Sequence, residues 1–551
     1  MLTYLFKGGS LMVKKTVIET DVLVLGGGIA GCTAAIKSKE QGLDVMLVDK
    51  AYVGKSGTTA AAGMRFSFFS EEHGDNYEQV YKMFTESGVS DRNWVEICIK
   101  ESWDAFKTLH SWGVPFPVEN EEEGMFVPKG IDSPFNAVRI IRRGVPPPLR
   151  EKALEVGVKI MDRITITDLL MNNSRVVGAV GFPLEELETL VFKAKATILC
   201  TGSWSLRTVG AETHNMTGDG HAMAYRVGAE LTGGDMHGSH HGNAAYPSWR
   251  GGRAARAIYR RFIDAEGNVI PYGYETGFEV DLAFHNGRGP IYHDLDAATD
   301  EEIERVWQRQ QNSDGMESAR INFDPRNRGK HKITGGQDCV VGAGLWPADL
   351  FCATTVTGLY AAGDTLSIRG AGFGGIPTGY IMGNRASKGA ADYITNLKDH
   401  TVDDAEIARA TKSMLEPYEN KSGFDPRWIT QLLLNTMTPY YVLMIQRGDR
   451  LQAALTMVEF FRDHFAPQLY ATDPHELRLA HEVKNMILGS ELALRSCLFR
   501  EETRGGHYRE DFPETDNPGW LAWTKIKQEN GRMKLWKQPV PNEWLPEKYR
   551  K

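Results

Sequence analysis

Glycines and an acidic residue near the start of the chain have the spacing that binds a dinucleotide. An apolar segment leads into Gly26, Gly28 and Gly31, and a second apolar segment, Val45–Val48, ends at Asp49. Gly26 permits a tight turn, Gly28 allows the backbone to approach a pyrophosphate, and Gly31 allows a helix to pack closely on a strand. The Asp49 carboxylate can accept hydrogen bonds from the hydroxyls of an adenosine ribose.

A strand, a glycine turn, a helix and a second strand must position these residues. The pattern predicts a helix over 28–41 that ends at Gly42, since glycine readily adopts the left-handed conformation of a helix C-terminus. The N-terminus of this helix offers unpaired N–H groups and a positive dipole to the phosphates. Together these elements predict a Rossmann-like α/β domain that binds a dinucleotide.

The composition is that of a globular chain with several domains. Of its 551 residues, 42% are hydrophobic and 24% are charged, and this length predicts about two to four domains. A net charge of −8 argues against a nucleic-acid-binding protein, which needs a basic face. No apolar run is long enough to span a membrane. The six cysteines are scattered without a Cys-x-x-Cys pair, so we expect no disulfide framework, no iron–sulfur ligands and no metal site.

A second glycine turn far along the chain decides between NAD and FAD. Gly363 and Asp364 follow a short apolar strand, and a small-residue turn then leads into a helix expected over 380–396, with its N-terminus near Thr378. An elongated flavin dinucleotide needs such a second set of contacts. Asp364 can hold ribityl hydroxyls, and the helix N-terminus can place positive charge at the flavin pyrimidine. A three-stranded meander over 164–195, followed by a further strand, is also typical of flavoproteins, so the sequence predicts FAD.

Changes in residue pattern indicate the domain boundaries. The predicted domains are an N-terminal extension (1–17), a Rossmann-like FAD-binding domain (18–234 and 333–400), an inserted α+β capping domain (235–332), a C-terminal helical domain (401–500) and a hairpin-containing extension (501–551). In the last of these, Asn530-Gly531 between two alternating segments predicts a β-hairpin. The first lacks the features of a secretory signal, so we expect a cytoplasmic protein.

The chain resembles the flavoprotein subunits of fumarate reductase, succinate dehydrogenase, L-aspartate oxidase and adenylylsulfate reductase. The matching segments occur in the same order from about residue 20 to the C-terminus: 26–31, 50–63, 196–202, 217–224, 355–364 and 504–513. The resemblance implies an FAD domain, a cap that closes over the flavin, and hydride transfer through flavin N5.

The motifs and this resemblance together assign the FAD contacts. They are Gly26, Gly28, Ile29, Ala30, Gly31, Asp49 and Lys50; Ser56, Gly57, Thr58, Thr59, Ala61 and Gly63 in the small-residue loop that follows; Thr201, Gly202 and Asp219; and Gly363, Asp364, Gly375, Ile376 and Thr378.

The sequence departs from the respiratory members of the family. They attach FAD covalently to a histidine in a Ser-His-Thr context, whereas the aligned residue here is Gly57, so we expect non-covalent FAD. Their substrate arginine aligns with Phe373, and a phenyl ring cannot replace a guanidinium–carboxylate pair, which disfavours fumarate and succinate as substrates. Adenylylsulfate reductase is more similar around the flavin, yet an asparagine of that family aligns with about Phe68.

Basic residues of the cap are the candidates for catalysis. His240 aligns with a histidine of fumarate reductases, and either Arg250 or Arg256 aligns with their proton-donating arginine, a choice that stays open. Hydride transfer to one carbon of a polarised double bond requires a proton at its neighbour and cations near the developing charge. The alternative is that these arginines are solvated or paired with acids. Arg504 and His507 match a family element near the flavin, and we expect a structural or electrostatic role for them.

The leading hypothesis is a soluble FAD-dependent oxidoreductase that reduces or forms a C=C bond in a small anionic organic substrate. Because no cluster ligands or second nucleotide motif are evident, we expect a separate iron–sulfur or ferredoxin-like protein to exchange the electrons, with free reduced flavin or oxygen as alternatives. Two other hypotheses are sulfur chemistry like that of adenylylsulfate reductase and a non-catalytic electron-transfer subunit. The sequence leaves the oligomeric state open.

Overall fold

The secondary structure comes from a computed structural model that describes residues 6–7, 10–11, 13–55, 57–61, 66–116, 135–138, 144–207, 215–236, 242–243, 259, 261–271, 278–311, 324–334, 340–370, 373–398 and 400–550. The strands are β1 (Phe6–Lys7), β2 (Ser10–Leu11), β3 (Lys14–Leu25), β4 (Val45–Val48), β5 (Phe66–Phe68), β6 (Asn136–Val138), β7 (Lys159–Met161), β8 (Ile164–Asn172), β9 (Arg175–Pro183), β10 (Glu188–Leu199), β11 (Trp204–Ser205), β12 (Leu231–Thr232), β13 (Gly242–Asn243), β14 (Phe262–Ile263), β15 (Val269–Ile270), β16 (Ile291–Asp294), β17 (Lys330–Thr334), β18 (Val340–Val341), β19 (Gly344–Leu345), β20 (Leu359–Ala361), β21 (Ala522–Glu529) and β22 (Arg532–Pro539). The α-helices are α1 (Ile29–Glu40), α2 (Gly57–Ala61), α3 (Tyr77–Thr85), α4 (Arg92–Ser111), α5 (Pro146–Glu155), α6 (Asp219–Arg226), α7 (Glu279–His285), α8 (Asp300–Gln311), α9 (Gly375–Thr395), α10 (Asp404–Glu419), α11 (Pro426–Met437), α12 (Tyr440–Leu443), α13 (Gly448–Phe460) and α14 (Pro474–Phe499).

The largest sheet has a parallel core. Strands β7, β4, β3 and β10 lie side by side in this order, and β20 pairs in parallel with the end of β10. The second half of β3, residues 22–25, and all of β4 are buried, as expected for strands covered on both faces. Because the strands are parallel, β3, β4, β10 and β20 end at the same edge of the sheet. Ligands of open α/β sheets bind at this edge.

The meander that the sequence predicts is present, with one difference. Strand β10 is a single strand, whereas the sequence analysis separated 189–195 from the apolar segment 196–200. Its first half pairs antiparallel with β9, and its second half pairs parallel with β20. Since no glycine or proline interrupts β10, one strand joins the meander to the parallel core.

Helices α1 and α9 begin at the edge where the parallel strands end. Helix α1 closely follows the prediction and is followed by Gly42 with a φ of +85°. Helix α9 begins at Gly375, five residues before the expected start at residue 380, after Gly374 with a φ of +97°. Pro377 is tolerated there because the N–H groups of a first helical turn have no partner within the helix.

The remaining elements form three further groups. The five-stranded sheet β13-β17-β16-β14-β15 lies in the segment predicted as the cap, together with α7 and α8. Helices α10–α14 follow, and the hairpin β21–β22 completes a four-stranded sheet with β19 and β12. Asn530 and Gly531 have φ values of +51° and +76°, so the predicted hairpin and its turn are confirmed.

The α/β architecture is as predicted, while the exact domain boundaries remain a prediction. No helix among the described residues has the length and apolar content to cross a bilayer.

Candidate functional site

The first glycine turn has no room for side chains. Gly26 has a φ of +106°, and a Cβ there would lie 2.2 Å from the carbonyl oxygen of Cys200, just after β10. A Cβ on Gly31 would lie 1.7 Å from the carbonyl oxygen of Gly26. Both positions therefore require glycine, and the turn brings the N-terminus of α1 to the edge of the parallel strands.

Asp49 and Thr59 are held in place around this turn. Asp49 accepts hydrogen bonds from the backbone N–H groups of Gly27 at 2.7 Å and Ala51 at 2.6 Å. A carboxylate can accept more than two hydrogen bonds, so these bonds orient Asp49 for a ribose hydroxyl. Thr59 Oγ1 accepts a bond from the N–H of Ile29 at 3.1 Å and thereby caps α1.

The second glycine turn packs directly against the first. A Cβ on Gly363 would lie 3.0 Å from the Cβ of Ala30. Helix α9 crosses α1 so closely that a Cβ on Gly379 would lie 2.7 Å from Ile29 Cγ2, and a Cβ on Gly383 would lie 2.4 Å from the carbonyl oxygen of Ala30. The two glycine turns and the start of α9 thus converge, although they are far apart in the chain.

Asp364 and Gly375, in front of these turns, are both exposed among the described residues. Asp364 is exposed, and its carboxylate has no hydrogen-bond partner among the described residues. A Cβ on Gly375 would meet no atom of a described residue within 4 Å. The Asp364 carboxylate and the N–H groups that begin α9 therefore border open space, which suits the hydroxyls and negative charge of a dinucleotide. The two glycine turns, around Gly26–Gly31 and Gly363–Asp364, and the start of α9 together form what we call the FAD cradle. The residues present fit FAD, since this cradle has no room for side chains beside the strands and the described residues leave space in front of it.

Lys50 and Asp219 contact each other. Lys50 Nζ donates to Thr217 Oγ1 at 3.0 Å, to Asp219 Oδ2 at 2.8 Å and to Glu482 Oε1 at 3.0 Å. An ammonium group has three hydrogens, so this side chain has none left for FAD, and only a backbone contact from Lys50 remains predicted. Burial alone would lower the pKa of Lys50, but Asp219 and Glu482 raise it above its ordinary value.

Further predicted contacts surround the residues that follow β10. Gly202 has a φ of +75°, and a Cβ there would lie 2.5 Å from Met216 Sδ. Thr58 Oγ1 lies 2.9 Å from the same sulfur, and the hydroxyls of Thr201 and Thr365 are 3.3 Å apart. The small-residue loop, the end of β10 and the second glycine turn therefore meet, as an extended cofactor requires.

Two predicted contacts are buried, and others cannot be placed. Ile376 is 5% exposed and the Thr378 hydroxyl is buried, so backbone groups are what these residues can offer to FAD. Ser56, Gly63, the side chain of Ala61 and the catalytic candidates His240, Arg250 and Arg256 lie outside the described residues.

A cavity of about 460 Å³ lies beside the second glycine turn. Ser367 and Arg369, which follow this turn along the chain, form part of its wall. Other parts come from Asp235, where the predicted cap begins, and from Arg504 and Trp523 of the C-terminal extension. Met444 and Arg500 of the predicted helical domain also line it, so segments of four predicted domains enclose a space that adjoins the FAD cradle.

Phe373 lies in an aromatic cluster of the described residues. It is buried and packs edge-on against Phe84 at 5.1 Å and Phe135 at 4.9 Å between ring centroids. The position that aligns with the substrate arginine of fumarate reductases thus belongs to an aromatic core. This agrees with the expectation that their dicarboxylate clamp is missing.

His507 and Arg504 have the structural surroundings that the sequence suggested. His507 is fully buried, and its ring nitrogens lie 3.0 Å from the carbonyl oxygen of Asp235 and 3.1 Å from that of Arg500. Arg504 pairs with Glu502.

Arg369, Arg500 and Trp523 line the cavity but were not predicted from the sequence. For Arg369 a signal existed, because it lies in the segment between Asp364 and the glycines before α9. No pattern marks Arg500 or Trp523, whose position depends on contacts between distant segments.

The comparisons with known proteins agree with this geometry. Residues 21–254 match the family described as FAD binding domain, and residues 431–551 match fumarate reductase flavoprotein C-term. A fumarate reductase (CoM/CoB) of Methanothermobacter marburgensis has a chain that is 25% identical over 543 residues, covering 91% of this chain and 96% of that one. The fumarate reductase flavoprotein subunit of Mycobacterium tuberculosis is 27% identical over 603 residues, covering 96% and 98%. The structure of adenylylsulfate reductase from Archaeoglobus fulgidus has a TM-score of 0.79 at 23% identity, covering 96% and 97%.

The fold and the cradle define a flavoprotein that binds FAD. With the two family matches and the relatives above, the chain is an FAD-dependent oxidoreductase of the fumarate reductase and succinate dehydrogenase flavoprotein type.

Proposed function

We propose that this protein reduces an activated C=C bond of a small anionic organic substrate, or catalyses the reverse reaction, in the cavity beside the FAD cradle. The observation that carries the proposal is the continuity of one segment. Residues 363–370 first form the second glycine turn, against α1, and then line the cavity. A molecule in the cavity would therefore lie next to the part of FAD that this segment holds.

Bound FAD would supply hydride transfer at flavin N5. The chain itself must orient the substrate, exclude water and deliver a proton to the second carbon. For the proton and the stabilising cations we propose His240 and either Arg250 or Arg256, on the sequence argument above. Replacement of Arg250 or Arg256 by alanine should leave FAD bound and abolish turnover, and activity that survives both changes would remove this assignment.

We further propose that FAD is bound without a covalent bond. Gly57 stands where respiratory relatives carry the flavin-linked histidine, and it has no atom that could bond to the flavin ring. Acid precipitation should therefore release all of the yellow chromophore into the supernatant, whereas flavin that stays with the polypeptide would contradict the proposal.

For the electrons we propose exchange with a separate iron–sulfur or ferredoxin-like protein. Among the described residues no group of His, Cys, Asp and Glu is arranged to hold a metal ion, and the described cysteines are buried and form no disulfide. The relatives named as fumarate reductase subunits are consistent with a protein that works within an assembly.

One experiment tests the reaction class. The protein is photoreduced without oxygen and then mixed with single enoates, keto acids or adenylylsulfate, while the flavin absorbance is followed. Rapid reoxidation by an enoate supports the proposal. Reoxidation by adenylylsulfate with release of AMP and sulfite would replace it with sulfur chemistry, and no reoxidation by any member of the panel would overturn it.

A further inference from the structure

Three arginines line the cavity, and two of them are fully engaged by the protein. Arg500 donates to Asp235 and, at 2.5 Å and 2.8 Å, to Glu502 and the carbonyl oxygen of Ala522. Arg504 donates to both carboxylate oxygens of Glu502 at 2.8 Å and 2.9 Å, and its Nη1 donates to the carbonyl oxygen of Ser87 at 3.1 Å. Every nitrogen of these two guanidinium groups has an acceptor, so they hold the wall together.

Arg369 differs from them. Its side chain is 7% exposed, and its Nη2 donates to Asp91, but the buried Nε and Nη1 have no hydrogen-bond partner among the described residues. The rings of Trp346 and Trp523 lie 4.1 Å and 4.7 Å from its guanidinium carbon. Aromatic faces attract a cation but do not replace an oxygen acceptor for its N–H groups. Burial also lowers the pKa of Arg369 to about 9, because it removes the charged guanidinium group from water. The contacts that Arg369 makes therefore replace its lost hydration only in part.

Most of the remaining described wall surface is apolar, although five hydroxyl residues also line it: Ser87, Ser90, Thr232, Ser367 and Thr524. Met236, Phe278, Met444 and Trp523 contribute to it. Its acidic member, Asp235, is paired with Arg500, so this arginine is not available to a second carboxylate of the substrate.

We infer that Arg369 binds the carboxylate of the substrate, and that the substrate is a carboxylic acid whose remaining body is apolar. This inference rests on the proposed function and names its substrate class. A carboxylate oxygen supplies the acceptor that Nε and Nη1 lack, and the apolar wall accommodates an alkyl or aryl body. Binding through Arg369 would also hold a carboxylic acid although Phe373 stands where fumarate reductases have their substrate arginine.

The test is a binding measurement that needs no turnover. Oxidised protein with FAD bound is titrated with benzoate and, separately, with succinate, while the flavin absorbance difference is recorded. Wild-type protein should bind benzoate more tightly than succinate. Arg369→Gln should weaken benzoate binding about ten-fold or more through loss of charge-assisted hydrogen bonds. Arg427→Gln, on the exposed face of α11, should leave the Kd unchanged and is the matched control.

Arg369→Lys is measured in parallel because it keeps a cation opposite Asp91. If Arg369→Gln fails to fold, the lysine variant still tests the role of the guanidinium group. It should also weaken benzoate binding. An unchanged Kd in both Arg369 variants would overturn the role of this arginine. Tighter binding of succinate than benzoate, or no binding of benzoate, would overturn the substrate class. The photoreduction assay tests the proposed function separately. If enoates reoxidise the reduced flavin, the proposed function is supported whatever the outcome of the binding measurements.

Discussion

At the scale of single residues, the chain uses charge beside the cofactor cradle to hold distant segments together. Lys50 directly follows the ribose-binding candidate Asp49, yet it joins Asp219 at the start of α6 to Glu482 in α14. Burial would raise the pKa of both carboxyls, but Lys50 lowers them below their ordinary values. Glu482 also pairs with Arg478 at 2.7 Å, so Asp219 depends more heavily on Lys50.

We therefore expect Lys50→Met to destabilise the protein by about 3 kcal/mol at pH 7, because it leaves a carboxylate in the cluster without its cation. The lowered pKa values of Asp219 and Glu482 contribute stability above about pH 4, the range of unfolded carboxyl groups, and this contribution disappears as the pH falls through the folded values. In the variant, Lys50 no longer opposes the effect of burial, which raises the pKa of Asp219, so this carboxyl binds a proton at a higher pH than in wild type and the deficit should shrink between pH 7 and pH 4. Urea unfolding at both pH values measures this. Lys55→Met, an exposed lysine of the same loop, should match wild type, and an equal deficit at both pH values would contradict the electrostatic explanation.

At the scale of secondary structure elements, the FAD cradle depends on the contact between α1 and α9. Gly379 and Gly383 allow α9 to lie in direct contact with Ile29 and Ala30 at the start of α1. Either helix alone would bind one end of a dinucleotide. Their contact fixes the distance between the two turns.

Gly383→Ala should therefore weaken FAD binding while the protein stays folded. The new Cβ would lie 2.4 Å from the carbonyl oxygen of Ala30, so the helices must separate slightly. We expect the Kd of FAD to rise about ten-fold, since overpacking of a close contact costs roughly 1–3 kcal/mol. Fluorescence titration of the apoprotein measures it, and Lys388→Ala, exposed on the same helix, is the control. An unchanged Kd would show that this contact does not set the cradle.

The elements that local chemistry defines were predictable from the sequence. The glycine turn, α1, the meander and the hairpin at Asn530 follow from periodicity and turn residues, and the structure confirms them. The start of α9 was not predictable, because Pro377 in its first turn interrupts the residue pattern that indicates a helix. The cavity was not predictable either, since Arg369 and Trp523 meet only when the C-terminal extension packs on the FAD-binding domain. Periodicity reports what a segment does by itself, and long-range contacts carry no such local signal.

At the scale of the whole molecule, a chain of buried charges joins the parts around the cavity. Asp235, Arg500, Glu502 and Arg504 are each at most 8% exposed and contact one another in this order. Arg504 continues the chain to the carbonyl oxygen of Ser87 in the FAD-binding domain. The C-terminal extension therefore reaches back to both the start of the predicted cap and the first domain, and it closes one side of the cavity.

Among these buried charges, Glu502 should be the residue whose replacement has the widest effect on the structure, because its carboxylate pairs with both Arg500 and Arg504. Glu502→Gln would leave two buried guanidinium groups facing a neutral amide, and we expect a loss of about 3–5 kcal/mol in the free energy of unfolding. The neighbouring Glu501 is exposed, so Glu501→Gln provides a matched control that should change stability by less than about 0.5 kcal/mol. Thermal unfolding of both variants with FAD bound distinguishes the two effects. Because the chain borders the cavity, the Glu502 variant should also bind benzoate less tightly, whereas a stable variant with unaltered binding would mean that these charges do not maintain the cavity wall.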